Sequence, residues 1–273
     1  MKIAELFDVK GLATIVTGAA SGIGYAYAEA MADNGARVAL FDIDRAGLDQ
    51  AVGKLQAKGG DVRGTAVDVT DRAALRAAID KAAAELNRLD VMFANAGIDS
   101  GPGFLSMTGE RTAEGAFENV SDARWDKVLD TNLTSVFSSI RAAVPHMKKN
   151  PKGGRIIVTT SVAALRSEAI VGIPYMPAKA GVAHLVRQAA LELAKYNILV
   201  NAIAPGPFNT NIGGGHIRKP EVAKAFAQAV PLHRVASTDE IQGAALFLAS
   251  PASTFVTGIE MIVDGGLMVG RAD

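Results

Sequence analysis

Short runs of β-branched and aliphatic residues alternate along the chain with longer, alanine-rich segments whose apolar positions recur at helical spacing. Such alternation is typical of βα units that build a parallel sheet. Strands are predicted at Leu12–Thr17, Arg37–Asp42, Val62–Asp68, Val91–Ala94, Arg155–Thr160, Leu199–Ala204 and Gly258–Val263. Helices are predicted at Gly24–Asn34, Ala46–Lys58, Arg72–Leu86, Asp122–Lys149, Pro174–Tyr196 and Asp239–Ala249. The pattern predicts an α/β fold with a doubly wound, Rossmann-like, parallel seven-stranded sheet and helices on both faces.

Two long segments, Ile98–Ser121 and Pro207–Pro231, interrupt this alternation after the fourth and sixth strands. Ligands bind outside the carboxyl ends of strands in open α/β sheets, and long loops there are commonly functional. The loops at about 98–121 and 207–231 are therefore candidate walls of a substrate pocket, with Gly213–Gly215 as a hinge. No Pro/Ser-rich linker or charge run divides the chain, so residues 1–273 are predicted to form a single domain.

The two loops are rich in large apolar side chains. These are Phe104, Leu105, Met107, Phe117, Phe208, Ile212, Ile217 and Phe226. They favour a mostly apolar pocket for a neutral, cyclic or aryl ligand, although packing of the loops against the core accounts for the same residues. Arg111, Arg166 and His216 are the cations that remain available to bind an acid group.

Composition narrows the possible functions. Lys plus Arg and Asp plus Glu are equal at 28 each, so no excess positive charge is present to hold a nucleic acid or an anionic membrane. The chain has no cysteine, which excludes disulfides and thiol nucleophiles and assigns any redox chemistry to a bound cofactor. Residues 1–10 lack the apolar block of a secretion signal, and no run is long enough to span a bilayer. A cytoplasmic location is therefore expected.

A glycine-rich turn, Thr17–Gly24, joins the first strand to the first helix. Glycines allow a tight turn and close approach to a pyrophosphate, although such a loop alone is weak evidence. Asp42 ends the second strand, 24 residues after Gly18, where an acid bonds the adenosine ribose hydroxyls. Asp42 and Asp44 would repel a 2′-phosphate, and no Lys or Arg stands in the turn, so NAD is favoured over NADP. The alternative for Asp42 is a carboxylate that starts a turn.

Tyr175 and Lys179 are four residues apart at the start of a predicted helix, so their side chains share one face. Such a pair also occurs by chance on many helices. Pro174 and Pro177 are compatible with a first helical turn, where the missing N–H is not needed. Oxidation of an alcohol needs a base, and a phenol of ordinary pKa about 10 is a poor one near neutrality. A neighbouring ammonium and a nicotinamide cation are both expected to lower that pKa.

The order of these motifs over Lys10–Gly266 resembles that of the short-chain dehydrogenase/reductase family. The resemblance rests on the spacing Thr-Gly-x-x-x-Gly-x-Gly in the turn, on Asn95-Ala96-Gly97 after the fourth strand, and on the Tyr–Lys pair. It implies dinucleotide contacts from Gly18, Ser21, Gly22, Ile23, Gly24, Asp42, Ile43, Asp68, Val69, Asn95, Ala96, Gly97, Tyr175, Lys179, Pro205, Gly206, Phe208 and Thr210. In this family the pair matched by Asp68-Val69 faces the adenine ring, and the segment matched by Pro205–Thr210 lies around the nicotinamide.

The resemblance also implies a catalytic set of Asn132, Ser161, Tyr175 and Lys179. Ser161 matches the serine that holds the substrate oxygen, but it lies fourteen residues before Tyr175, one more than the commonest family spacing, and Thr160 is the alternative. Asn132 matches the helix asparagine whose carbonyl holds a water leading to Lys179; otherwise it is a buried polar residue that bonds backbone. Lys179 is further implied to bond the nicotinamide ribose.

The function implied is that of an NAD-dependent oxidoreductase acting on the CH–OH group of a secondary alcohol, assembled as a homotetramer through the helices of Asn132 and Tyr175 and the C-terminal strand. One alternative is an NADPH-dependent 3-ketoacyl-type reductase, against which Asp42 and the zero net charge argue. A second is a non-catalytic dinucleotide-binding protein, since fold does not imply function. The histidines lack ligand spacing, so no metal site is expected, and Ser161 lacks the G-x-S-x-G elbow of hydrolases.

Overall fold

The computed structural model describes residues 2–270, apart from the side chain of His216. One sheet is formed by β1 (Ala13–Thr17), β2 (Arg37–Asp42), β3 (Asp61–Ala66), β4 (Val91–Ala94), β5 (Gly154–Thr159), β6 (Ile198–Pro205) and β7 (Glu260–Val263). The strand order is β3-β2-β1-β4-β5-β6-β7, and each neighbouring pair is parallel. The predicted doubly wound, parallel seven-stranded sheet is confirmed.

Helices cover both faces of the sheet. They are α1 (Ile3–Leu6), α2 (Gly22–Asp33), α3 (Arg45–Ala57), α4 (Arg72–Glu85), α5 (Asp122–Leu129), α6 (Ser135–Met147), α7 (Tyr175–Leu193), α8 (Pro220–Ala229) and α9 (Gln242–Ala249). The sequence pattern does not predict α1 or α8, and α8 lies inside the predicted loop 207–231, with a proline in its first turn. Within residues 2–270, no helix combines the length and apolar character needed to cross a bilayer.

Two apolar clusters form the core on opposite faces of the sheet. Successive strand residues point to opposite faces, so Ile15 and Met92 pack with α4, α6 and α7, whereas Val16 and Phe93 pack with α2, α3 and α9. All four side chains are 0% exposed. Full burial of one such side chain stabilises the fold by roughly 1.5–3 kcal/mol. Strands that are covered by helices on both faces bury residues of both orientations, so their sequences are continuous apolar runs.

The carboxyl ends of the parallel strands share one edge of the sheet. Thr17, Asp42, Ala94, Thr159 and Pro205 end β1, β2, β4, β5 and β6. The glycine-rich turn, the Asn-Ala-Gly segment and the predicted catalytic serine begin within two residues of three of these ends. The topology therefore gathers motifs that are far apart in the sequence.

Candidate active site

The glycine-rich turn between β1 and α2 packs closely against neighbouring backbone at two of its glycines, Gly18 and Gly24. A Cβ on Gly18, where φ is +66°, would lie 2.9 Å from Ala96 Cα, and a Cβ on Gly24 would overlap the Gly18 carbonyl oxygen. Ser21 precedes α2, is exposed, and makes no capping bond with its side chain. Open first-turn N–H groups attract phosphate, so this turn fits the pyrophosphate of a dinucleotide.

Asp42 is fixed beside this turn by backbone hydrogen bonds. Its Oδ2 accepts from the Ala20 N–H at 2.9 Å and its Oδ1 from the Asp44 N–H at 3.0 Å. Each carboxylate oxygen has a second lone pair for another donor. The following residue, Ile43, has a side chain that is 69% exposed. The end of β2 thus offers a fixed negative charge and an adjacent apolar surface.

Asn95 ties the ends of β1, β4 and β5 together. Its Nδ2 donates to the Thr17 carbonyl at 3.0 Å and to the Gly18 carbonyl at 3.3 Å, and its Oδ1 accepts from the Thr159 hydroxyl at 2.9 Å. The N–H groups of Asn95 and Ala96 both donate to the Thr17 hydroxyl, at 3.0 and 3.1 Å. This network holds the Asn-Ala-Gly segment against the glycine-rich turn, and sequence reasoning missed Thr159 as its partner.

Tyr175 and Lys179 lie on one face of the first turn of α7. The Lys179 ammonium nitrogen is 5.7 Å from the centroid of the Tyr175 ring and donates to the Thr159 carbonyl at 2.9 Å. Lys179 is 3% exposed, whereas the Tyr175 side chain is half-buried. Because Thr159 ends β5, the pair is held at the carboxyl edge of the sheet, close to Asn95.

The pKa values of this pair differ from the sequence-based expectation. Burial raises the pKa of Tyr175 to about 12, contact with the Ser161 hydroxyl opposes the shift, and the charge of Asp99 adds to it. Burial lowers the pKa of Lys179 to about 8. The pKa lowering expected from Lys179 together with a nicotinamide cation is thus absent from the chain by itself, in which burial dominates the pKa of the phenol. A further positive charge beside the phenol would act in the lowering direction.

The lowered pKa of Lys179 predicts a pH dependence of stability. The unfolded chain keeps this proton up to about pH 10.5, whereas the folded protein loses it above about pH 8. The unfolded state thus binds more protons between these values, and stability rises with pH in that window. From about pH 8 to about pH 10, we expect the free energy of unfolding of the wild type to rise by roughly 1–3 kcal/mol relative to Lys179→Met. Urea unfolding of both proteins across this range measures the difference, and parallel curves would contradict it.

Ser161 is the second residue after β5 and contacts the phenol of Tyr175. Its hydroxyl oxygen accepts from the Ala163 N–H at 3.1 Å, which caps the 3₁₀ turn Val162–Ala164, and its contact with Tyr175 is one of the influences on the pKa of that residue. The alternative, Thr160, is 2% exposed and its hydroxyl donates to the Ile203 carbonyl at 3.0 Å. The geometry therefore favours Ser161 over Thr160 as the hydroxyl that meets a ligand.

Asn132 lies in a π-helical turn, Asp130–Thr134, between α5 and α6. The helix predicted over Asp122–Lys149 is therefore present from Asp122 to Met147, but it is not a regular α-helix throughout, because this π-turn interrupts its hydrogen-bond pattern. The Asn132 side chain is 0% exposed, and it accepts from the Ile98 N–H at 2.7 Å and donates to the Ile98 carbonyl at 2.9 Å. A Cβ on Gly97 would lie 3.0 Å from Asn132 Oδ1 and 3.6 Å from Lys179 Nζ. Asn132 thus bonds backbone, and it does so next to Lys179.

We expect Asn132→Ala to lower the free energy of unfolding by about 1–3 kcal/mol, because both backbone groups of Ile98 lose their partner. Activity should fall as well, since Ile98 is the first residue of the candidate substrate loop 98–121. Asn119→Ala is the matched control, because this exposed residue makes one surface bond to the Ala113 carbonyl. Urea unfolding compares the two variants, and equal stability losses would contradict the account.

Other predicted dinucleotide contacts follow the same strand ends. The exposed Asp68 accepts from the Thr70 N–H and hydroxyl at 2.8 Å each, a turn that stops β3 at Ala66 rather than at the predicted Asp68. Val69 is 8% exposed. After β6, Thr210 approaches the turn, since a Cβ on Gly22 would lie 3.6 Å from it.

Phe208 occupies a different position from the one expected of a side chain beside the nicotinamide. It is 4% exposed and packs in the apolar cluster on the α2 face of the sheet. A contact with a ligand would therefore fall to its backbone. The neighbouring Gly206 must be glycine, since a Cβ there would lie 2.7 Å from Asp264 Cβ.

The first substrate loop, residues 98–121, is anchored by Arg124 of α5, a residue that sequence reasoning missed. Its guanidinium donates to the carbonyl oxygens of Ser100, Pro102 (3.0 Å) and Glu114 (3.3 Å). The loop also pairs with the segment before α7 through a bridge between Pro102 and Val171. The structure therefore fixes this loop relative to Tyr175.

The second loop, residues 207–231, reaches the first at a run of three glycines. Gly213, Gly214 and Gly215 have φ values of +61°, +69° and +73°, and a Cβ on Gly213 would lie 3.0 Å from Asp99 Oδ2. Residues other than glycine are strained in this backbone region.

Among the described residues, no group of three or more His, Asp or Glu side chains is arranged to hold a metal ion.

Comparison with known proteins places these features in a family context. A family model described as enoyl-(acyl carrier protein) reductase matches residues 18–268. The (−)-trans-carveol dehydrogenase of Rhodococcus erythropolis is 34% identical, covering 94% of this chain and 98% of its own. The 3-oxoacyl-[acyl-carrier-protein] reductase of Thermotoga maritima is 34% identical over 96% of this chain and 99% of its own. A solved structure of 7α-hydroxysteroid dehydrogenase complexed with NADH and 7-oxo glycochenodeoxycholic acid has a TM-score of 0.87 at 32% identity, covering 100% of this chain and 99% of its own.

Proposed function

Because the chain belongs to the short-chain dehydrogenase/reductase family, an oxidoreductase family acting on CH–OH groups, we propose that it transfers a hydride between NAD(H) and the carbinol carbon of a secondary alcohol. The observation that carries this proposal is the convergence of Tyr175, Lys179 and Ser161 at the carboxyl edge of β5, next to the glycine-rich turn. A base, its cationic neighbour and a hydroxyl that holds the substrate oxygen are the groups that alcohol oxidation requires.

The residues of the turn and of the neighbouring strand ends fit a dinucleotide. The N-terminus of α2 would hold the pyrophosphate, Asp42 the adenosine ribose, and Lys179 the nicotinamide ribose. When bound, the nicotinamide supplies the hydride acceptor or donor. The Lys179 ammonium lies 5.7 Å from the centroid of the Tyr175 ring and donates one hydrogen bond to Thr159, so two of its three N–H groups are left for a ribose.

The proton chemistry falls to this chain's own side chains. Ser161 donates a hydrogen bond to a carbonyl oxygen or accepts one from an alcohol, so it orients the substrate in either direction. Tyr175 takes the proton from the alcohol oxygen at its phenol oxygen, and in the reverse direction it returns that proton to the carbonyl oxygen. Since burial raises the pKa of Tyr175 to about 12, a positive charge at the site is needed to make the phenolate accessible.

Asp42 predicts a preference for NAD over NADP. Its carboxylate is fixed at the end of β2 and would repel a 2′-phosphate. We expect Asp42→Ala to reduce the ratio of kcat/KM for NAD to that for NADP by at least about tenfold, the effect of roughly 1.4 kcal/mol. Asp61→Ala, at the exposed start of β3, is the control. A wild type that uses NADPH as well as NADH, or an unchanged ratio in Asp42→Ala, would remove Asp42 from this role.

The substrate is proposed to be a cyclic or aryl secondary alcohol. One relative is a carveol dehydrogenase and one structural neighbour is a hydroxysteroid dehydrogenase, and both names support a ring-shaped substrate. The test is a panel of cyclic, aryl and open-chain secondary alcohols with NAD, followed by the absorbance of reduced nicotinamide. We expect the highest kcat/KM for cyclic or aryl members, and turnover confined to open-chain alcohols would contradict this.

A 3-ketoacyl-type reductase is the second candidate. The Thermotoga maritima relative and the acyl-carrier description of the family model favour it. Asp42 and the balance of 28 basic and 28 acidic residues argue against NADPH and against docking of an acidic carrier. A higher kcat/KM for a 3-ketoacyl thioester with NADPH than for any alcohol with NAD would establish this alternative.

The proposal extends to assembly, location and domain organisation. Residues 1–273 form one domain, and the protein is a homotetramer in the cytoplasm. Large apolar side chains are exposed on α6, α7 and β7, at Phe137 (44%), Leu191 (78%) and Ile262 (44%). Exposed apolar surface on these elements supports their burial between subunits. Light scattering coupled to size exclusion should give four chains per particle, and a monomer would contradict the assembly.

A further inference from the structure

Asp99 is a charged residue that the fold fixes at the start of the first substrate loop. The preceding residue, Ile98, is held by Asn132 through both backbone groups, at 2.7 and 2.9 Å. The following residue, Ser100, is 2% exposed, and its hydroxyl donates to the Gly172 carbonyl at 3.0 Å. Because both neighbours are anchored, the position of Asp99 is set by the fold.

The Asp99 side chain lies between the reactive phenol and the glycine run of the second loop. The Tyr175 N–H donates to the Gly172 carbonyl at 3.2 Å, so Ser100 and Tyr175 share one anchor. Burial is the main cause of the raised pKa of Tyr175, and the negative charge of Asp99 is near enough to raise it further. On the other side, a Cβ on Gly213 would lie 3.0 Å from Asp99 Oδ2.

The carboxylate of Asp99 is exposed, and Oδ1 accepts from the Ser100 N–H at 2.7 Å. Among the side chains that the structure describes, no Lys or Arg forms an ion pair with Asp99. Oδ2 is therefore available to a ligand between the loops. An exposed acceptor with a fixed position is suited to select a ligand by charge.

Two of the three cations considered for an acid group, Arg166 and Arg111, make contacts elsewhere, and the side chain of the third, His216, lies outside the described part of the chain. Arg166 pairs with Glu168 at 2.6 Å and donates to the Leu267 carbonyl at 3.3 Å. The Arg111 guanidinium lies over the Phe104 ring, 5.5 Å from its centroid. The charged group that the first loop holds in a fixed position near Tyr175 is thus the carboxylate of Asp99, which is negative.

On the basis of the hydride-transfer function above, we propose that Asp99 is a specificity-determining residue. It selects neutral secondary alcohols that carry a hydrogen-bond donor away from the carbinol carbon, and it rejects alcohols that carry a carboxylate there. An O–H or N–H donor gains a hydrogen bond to an ionised acceptor. A substrate carboxylate at ~7 Å from Asp99 is repelled enough to lower its kcat/KM by at least about tenfold, even with partial screening by water.

The test compares 4-hydroxycyclohexanecarboxylate with 4-hydroxycyclohexanecarboxamide, which have nearly the same shape and differ in charge. The ratio of their kcat/KM values with NAD is measured in the wild type, in Asp99→Asn and in Glu118→Gln. Glu118 is the matched control because it is an exposed carboxylate in the same loop. Any effect of Asp99→Asn on the Tyr175 phenol acts on both substrates and cancels in the ratio.

We expect the wild type and Glu118→Gln to favour the carboxamide by at least about tenfold, and Asp99→Asn to bring the ratio close to one by a gain on the acid. A wild type that oxidises both compounds equally, or a ratio that is unchanged in Asp99→Asn, would overturn the assignment of Asp99.

A binding measurement separates this proposal from the proposed reaction. Cyclohexanecarboxylate and cyclohexanecarboxamide carry no hydroxyl to oxidise, and calorimetry gives their Kd values for the protein saturated with NADH. If the wild type binds the amide more tightly than the acid and Asp99→Asn loses this difference, the assignment of Asp99 is supported. This holds even if no alcohol is oxidised, and in that case only the proposed reaction fails. Equal binding of acid and amide by the wild type overturns the assignment of Asp99 whatever the turnover.

Discussion

Tyr175→Phe should lower kcat for alcohol oxidation by about a hundred- to ten-thousand-fold, the usual contribution of a positioned acid or base. The substitution removes the phenol oxygen that contacts Ser161 and keeps the ring beside Lys179. NADH binding should therefore survive. In the wild type, oxidation should increase with pH because only the phenolate accepts the alcohol proton, and this dependence should be absent from the residual activity of the variant.

Tyr196→Phe provides the matched control for this experiment. Tyr196 lies beyond the far end of α7, is 37% exposed, and contacts the ammonium groups of Lys148 and Lys195 at 3.9 and 4.9 Å from its ring centroid. It repeats the combination of a phenol and a lysine away from the sheet edge, and full activity is expected. If Tyr175→Phe retains more than about a tenth of wild-type turnover, another residue is the base.

Lys179→Met should lower kcat by a factor similar to that expected for Tyr175→Phe, and it should also weaken NADH binding. Both effects are expected because Lys179 is assigned two roles, one toward the phenol and one toward the nicotinamide ribose. Its ammonium nitrogen lies 5.7 Å from the centroid of the Tyr175 ring, and its removal takes away a positive charge that favours the phenolate. Its removal also leaves the nicotinamide ribose without a donor. The two variants thus differ in cofactor affinity, which calorimetry with NADH measures.

Lys195→Met is the control, since Lys195 is an exposed lysine just after α7. We expect its NADH affinity and turnover to match the wild type. Unchanged NADH binding in Lys179→Met would show that Lys179 has no role toward the ribose, and unchanged turnover would remove it from the catalytic set.

The features predicted correctly from the sequence are those encoded by local patterns. Apolar runs predicted every strand of the sheet. The five inner strands are buried by helices on both faces, whereas the edge strands β3 and β7 are only partly buried. The glycine-rich turn could be recognised because its glycines are dictated by contacts with the backbone of Gly18 and Ala96. The assigned roles of the site residues stay predictions until the variants are measured.

The features that were missed depend on contacts between distant segments. The π-helical turn at Asn132 accompanies bonds to Ile98, 34 positions earlier, and no local pattern marks that partner. Arg124 reads as a surface residue of an amphipathic helix until the first loop folds onto it. The raised pKa of Tyr175 depends on burial and on Asp99, neither of which the spacing to Lys179 reveals.

Transfer of deuterium tests the proposed reaction most directly. Cyclohexanol carrying deuterium on the carbinol carbon is incubated with NAD and either the wild type or Tyr175→Phe, and the reduced cofactor is analysed by mass spectrometry. The account predicts one deuterium in each molecule of NADH formed by the wild type, and formation at least about a hundredfold slower with Tyr175→Phe. Reduced cofactor without deuterium, or equal rates for the two proteins, would contradict hydride transfer from a secondary alcohol with Tyr175 as the base.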